Sequence, residues 1–112
     1  MDYMPQDAKE FRDRTVGIGL RTIRITFVLD FALDKDTMGL AIGTVIKRCI
    51  LPLMRTTHAK DGVQYSKTLL GLVPQSGDFL QVPPCYDALK SLAGAIQSMG
   101  ENELLMKIHK LL

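Results

Sequence analysis

Ile23–Met54, IRITFVLDFALDKDTMGLAIGTVIKRCILPLM, decides how the chain is read. Ile23, Ile25, Phe27 and Leu29 alternate up to Asp30, the pattern of a half-buried strand, which places a central strand at Arg24–Asp30. Beyond an acidic loop, Met38, Ile42, Val45, Ile46, Cys49 and Leu53 recur at three- and four-residue steps and predict a long helix with one apolar face. Strand, loop and helix in that order predict an α/β fold, a two-layer or three-layer sheet with flanking helices. In such a fold, a ligand belongs beyond the carboxyl end of the strand, next to Asp30.

The helix carries its own signals. Asp34 or Asp36 can cap its first turn, because a short acceptor side chain satisfies the early N–H groups. Gly39 and Gly43 are four residues apart and leave a flat side for close backbone approach, here expected against a sheet beside Ile25, Phe27 and Leu29. Pro52 removes an amide donor, so the helix should kink or end near its last turn.

Working outward, residues 1–14 form a polar lead and residues 15–112 a single α/β domain. Thr15–Leu20, TVGIGL, alternates in a phase one residue away from the next strand, so an edge segment and the central strand must be separated by a bulge or turn near Gly19–Thr22. Arg55–Gly62 reads as a loop with an Asp-Gly turn signal. Val63–Val73, VQYSKTLLGLV, reads as a second strand and Phe79–Val82 as a third, pairing across the turn Pro74–Asp78. Tyr86, Leu89, Leu92, Ile96 and Met99 mark a helix ended by Gly100. A last helix starts at Glu101 or Asn102, and its apolar residues Leu104, Leu105, Ile108 and Leu111 still form a stripe as the sequence stops. That unfinished stripe is the predicted partner-binding surface, for another protein or a second copy.

Composition narrows the function. The 112 residues, 46% hydrophobic and 23% charged, suit one globular domain. A formal net charge of +2 and no basic stripe argue against specific nucleic-acid binding. Arg12, Arg14, Arg21 and Arg24 form the densest basic cluster, and Arg21 and Arg24, on an edge strand, are read as discouraging edge-to-edge pairing in preference to a phosphate or nucleic-acid contact. Cys49 and Cys85 show no metal-ligand spacing and are too few for a disulfide framework, so a reducing compartment, nuclear or cytoplasmic, is expected. The N-terminus has no apolar signal region, and Lys47 and Arg48 interrupt the best apolar run, so no membrane association is expected.

Candidate chemistry centres on Asp30, Asp34 and Asp36, oxygen ligands that would suit a hard cation such as magnesium. Helix capping is the preferred reading of that acidic loop, with no metal and no other cofactor expected. His58 and His109 have no Ser or Cys partner at recognisable spacing, so no catalytic residue is assigned and no enzyme is expected. Cys85, after two prolines at a helix start, is open to a lowered thiol pKa, although packing is preferred.

ITFVLDFALD, the helix ending ILPLM, VQYSKTLLGLV and SLAGAIQSMG together resemble the von Willebrand factor A family, within it the divergent branch found at the N-terminus of Mediator subunit twenty-five. The resemblance covers Ile23–Leu112 and implies a partial, Rossmann-like unit, roughly the first half of such a domain. Asp30, Ala32 and Asp34 stand where metal-binding members carry DxSxS, so both hydroxyls are missing and the resemblance implies no metal-dependent adhesion site. It further implies a non-enzymatic scaffold in a transcription-related assembly. Two alternatives stand beside it. One is a small dimerising adaptor of the roadblock or profilin type, closed by Leu104, Leu105, Ile108 and Leu111. The other is a divalent-metal site at Asp30.

Overall fold

A computed structural model describes Arg14, residues 17–21 and residues 34–112. Among these residues there is no strand; the fold is a small all-helical one. Helix α1 runs over Lys35–Met54, α2 over Ala59–Leu72, α3 over Pro83–Ser98 and α4 over Asn102–Leu111. A short 3₁₀ turn, Asp78–Gln81, precedes α3, and residues 17–21 are also helical.

The expected α/β sheet fold is therefore overturned, and with it the von Willebrand A-like, Rossmann-like architecture. Val63–Val73 is the body of α2 and the residue after it, not a second strand. Phe79–Val82 is the 3₁₀ turn and its cap, not a third strand. Residues 17–20 of the expected edge segment are helical. The central strand Arg24–Asp30 lies outside the described residues. The antiparallel strands that a roadblock or profilin-type adaptor would need are likewise absent among the described residues.

Local chemistry explains the helix boundaries. Asp34 caps α1: its carboxylate accepts from the Thr37 N–H at 2.7 Å and from the Thr37 hydroxyl at 3.1 Å. These bonds hold the exposed Asp34 carboxyl below the usual range. Pro52 does not end the helix. Ile46–Ile50 widens into a π-turn, with the Leu51 N–H donating back to the Ile46 carbonyl, and the helix continues through Pro52 to Met54. A proline crowds the carbonyl four residues before it, so a wider turn just upstream is the relief that lets the chain pass. Pro83 and Pro84 occupy the first turn of α3, where a missing amide costs least, and Val82 before them is extended. At the other end of α3 the Glu101 N–H donates to the Ile96 carbonyl and the Gly100 N–H to the Gln97 carbonyl, with Gly100 at φ +74°. That is the Schellman arrangement, which favours glycine at this position.

The core is one cluster. Ile42, Ile46, Ile50 and Leu53 of α1 are wholly buried with Leu89, Leu92 and Ile96 of α3, joined by Leu69 of α2 and Ile108 of α4. Leu20 is buried in the same cluster, and Gly19 lies close against Val45, so segment 17–21 rests on α1. By length and composition α1 is apolar enough to cross a membrane despite Lys47 and Arg48, contrary to the reading that these two charges interrupt the apolar run. The buried face it contributes to this core accounts for that apolarity.

The flat glycine side of α1 meets no sheet. It faces the 3₁₀ turn and the first turn of α3. A Cβ on Gly43 would lie 2.5 Å from the Pro84 carbonyl oxygen, and one on Gly39 would collide with Val82 and stand 2.9 Å from the Phe79 carbonyl. Gly62, at the start of α2, would meet the Met54 side chain at 2.7 Å. Gly94 of α3, in contrast, has nothing within 4 Å. Gly43→Ala is therefore expected to destabilise by about 1–3 kcal/mol through backbone overpacking, despite the better helix propensity of alanine. Gly94→Ala should be neutral or stabilise by up to about 1 kcal/mol. Urea denaturation of the two variants side by side reads the contrast; equal effects would contradict the close crossing.

Candidate functional site

The residues singled out from sequence do not converge. Asp34 is committed to the cap of α1, Asp36 is exposed in its first turn, and Asp30 lies outside the described residues. Among the described residues no three His, Cys, Asp or Glu side chains gather as a metal site would require. His58 stands at the N-terminal end of α2, its Nδ1 3.9 Å from the Asp61 carboxylate one turn on. His109 is exposed in the last turn of α4. Neither imidazole hydrogen-bonds a hydroxyl or thiol among the described residues. Arg14 and Arg21 are exposed on helical residues, not on an edge strand; Arg12 and Arg24 lie outside the described set.

Cys85 is fully buried in the first turn of α3, and burial pushes its thiol up to about 11. Desolvation thus outweighs the helix N-terminus, which on its own would have lowered it. Cys49 is half-buried within the π-turn, and burial raises its thiol too. Both are free thiols.

The stripe expected to await a partner is closed within the chain. Leu104, Ile108 and Leu111 are buried in the common core, and Leu105 is partly buried against it. Helix α4 turns this face onto α3 and α2. The last two helices read from sequence, α3 and α4, are therefore partners of each other.

A different surface stands out. Between α2, the segment after it and α4 lies a trough of about 450 Å³. Partly buried Leu70 and the buried Val73 and Leu111 form its apolar lining, while Lys67, Lys107 and Lys110 bring three cations to the same space. None of the three lysines has a carboxylate of a described residue within ion-pair distance. A smaller recess of about 200 Å³ shares Lys67 and Lys107 and adds Glu101 and Glu103. Met106, 63% exposed, stands one helical turn before Lys110. Sequence reading missed this trough because it assigned Lys67 to a strand, whereas the helix sets Lys67, Leu70 and Gly71 on the side next to α4. The available signal was the spacing of Lys107 and Lys110 on one flank of the last helix.

A further groove of about 340 Å³ lies between the end of α1 and α3, lined by Leu51, Met54, Ala95 and Met99 with small residues of α3 between them. Comparison with known protein-family models, with curated proteins and with solved structures returns no match.

The thiols provide a check on the geometry. Cys85 should resist alkylation by iodoacetamide in the native protein at mildly alkaline pH, while Cys49 reacts more readily and both react once the chain is unfolded. Because the folded-state pKa of Cys85 lies above its unfolded value of about 9, its contribution to stability is complete below about pH 9 and is lost as the pH rises toward 11. Rapid native labelling of Cys85, identified by peptide mapping, would contradict its burial.

Proposed function

We propose that this chain is a non-enzymatic protein-interaction module whose partner docks in the trough between α2 and α4. The observation that carries the reading is the trough itself, where partly buried Leu70 and the more deeply buried Val73 and Leu111 lie beside three lysines that meet no carboxylate of a described residue at ion-pair distance. Apolar contact supplies binding energy and the charged rim supplies orientation, the division of roles common to protein interfaces. The thiol chemistry points the same way: Cys85, buried in the first turn of α3, is kept protonated by desolvation, which disfavours a thiolate nucleophile. Two free cysteines agree with a reducing compartment, nuclear or cytoplasmic. The transcription-related setting rested on a sheet-bearing resemblance and does not enter the proposal.

The partner surface thus moves from the inward face of α4 to its flank. Leu104 and Ile108 hold the helix in place, and Leu111 does this while also lining the trough. An NMR titration of the full chain with a panel of short amphipathic peptides (acidic, basic and neutral) tests the reading. At least one peptide should shift amide signals concentrated at Lys67, Leu70, Val73, Lys107 and Lys110. Shifts scattered over the surface, or confined to the groove between α1 and α3, would contradict it.

A further inference from the structure

We infer, resting on that reading, that the occupant of the trough is an acidic amphipathic helical segment of a partner protein. Its aliphatic side chains would lie on Leu70, Val73 and Leu111, and its carboxylates on Lys67, Lys107 and Lys110. Charge complementarity selects it. The three lysines come from two helices, share one concavity, and face no carboxylate of a described residue at ion-pair distance. The apolar floor discriminates between anions. A phosphodiester chain gains from cations but nothing from Leu70, Val73 and Leu111, and three cations release few counterions. A peptide that alternates leucine-type and acidic side chains uses both halves of the surface. The trough lies between two helices, α2 and α4, a setting that a helix can enter as a third element, anchored at i and i+4 positions.

The trough also has a direction. Glu101 and Glu103 join Lys67 and Lys107 in the recess at the N-terminal end of α4, while Lys110 stands at the C-terminal end beside exposed Met106. The acidic side chains of the occupant therefore approach Lys67 and Lys107 from the side of Lys110, away from Glu101 and Glu103. Carboxylates placed over Glu101 and Glu103 would be repelled.

Fluorescence anisotropy with the full chain tests this. The probe is a labelled helical peptide with leucines at i, i+4 positions flanked by glutamates; its twins carry lysine for glutamate or serine for leucine. The acidic peptide should bind, and the serine twin should bind about tenfold more weakly or less. The double variant Lys107→Glu/Lys110→Glu, both positions exposed and its fold checked by circular dichroism, should lose about tenfold for the acidic peptide and gain affinity for the lysine twin. Raising salt to about 1 M should weaken the acidic peptide in the unmodified protein. Preferential binding of the lysine twin at the trough would overturn the acidic assignment and leave the docking reading intact. No peptide binding at the trough would overturn both. Displacement of the peptide by a short single-stranded DNA or by inorganic phosphate at comparable concentration would also overturn the assignment, since the lysines would then serve phosphate.

Discussion

The close crossing of α1 over the start of α3 is the constraint on which the remaining packing depends. Gly39 and Gly43 present bare backbone to the carbonyls of Phe79 and Pro84 and to the Val82 side chain, at separations no Cβ would permit. That approach brings Ile42 and Ile46 of α1 against the apolar side of α3, the most extensive helix pairing among the described residues. The Pro83-Pro84 pair matters here for a backbone reason. It fixes the first turn of α3 with an extended Val82 ahead of it, so the chain enters the helix at the point where α1 crosses.

Once α1 and α3 are locked, the Schellman turn at Gly100 returns the chain so that α4 covers the remaining side of the core. Leu104, Ile108 and Leu111 point inward, and the acidic start and basic end of α4 follow the helix dipole. This same charge order leaves Lys107 and Lys110 on the flank beside Lys67 of α2. The lysine-rimmed trough is thus a consequence of how α4 docks, and its binding role follows from the surface that docking leaves open.

The sequence made the helices of the core legible wherever their inward positions were apolar. α1, α3 and α4 were read near their observed bounds, as was the Gly100 stop, and of the two cap candidates Asp34 and Asp36 it is Asp34 that caps α1. α2 was misread for a specific reason. Its inward positions are Gly62, Val63, Ser66 and Leu69, followed by Val73 just beyond its end, so the helical period is partly written in a glycine and a serine. Gly62 is there to admit Met54, and the Ser66 hydroxyl donates to the Gly62 carbonyl at 2.8 Å, which satisfies a buried polar group inside its own helix. The apolar run Leu69-Leu70-Gly71-Leu72-Val73 then resembled a buried strand. Gly39 and Gly43 were recognised as a close-approach face, but a sequence does not state whether the approaching backbone is a strand or a helix start. The candidate site was less legible than the fold, because three lysines separated in the chain form one surface only after α2 and α4 are placed.

The most direct test of this architecture is a nuclear Overhauser measurement on the full chain, combined with backbone carbon shifts through Val63–Leu72. Contacts between the Gly39 α-protons and the Val82 methyl groups are expected, with helical shifts across the whole segment. Strand-type shifts at Val63–Leu72 together with no Gly39–Val82 contact would contradict it.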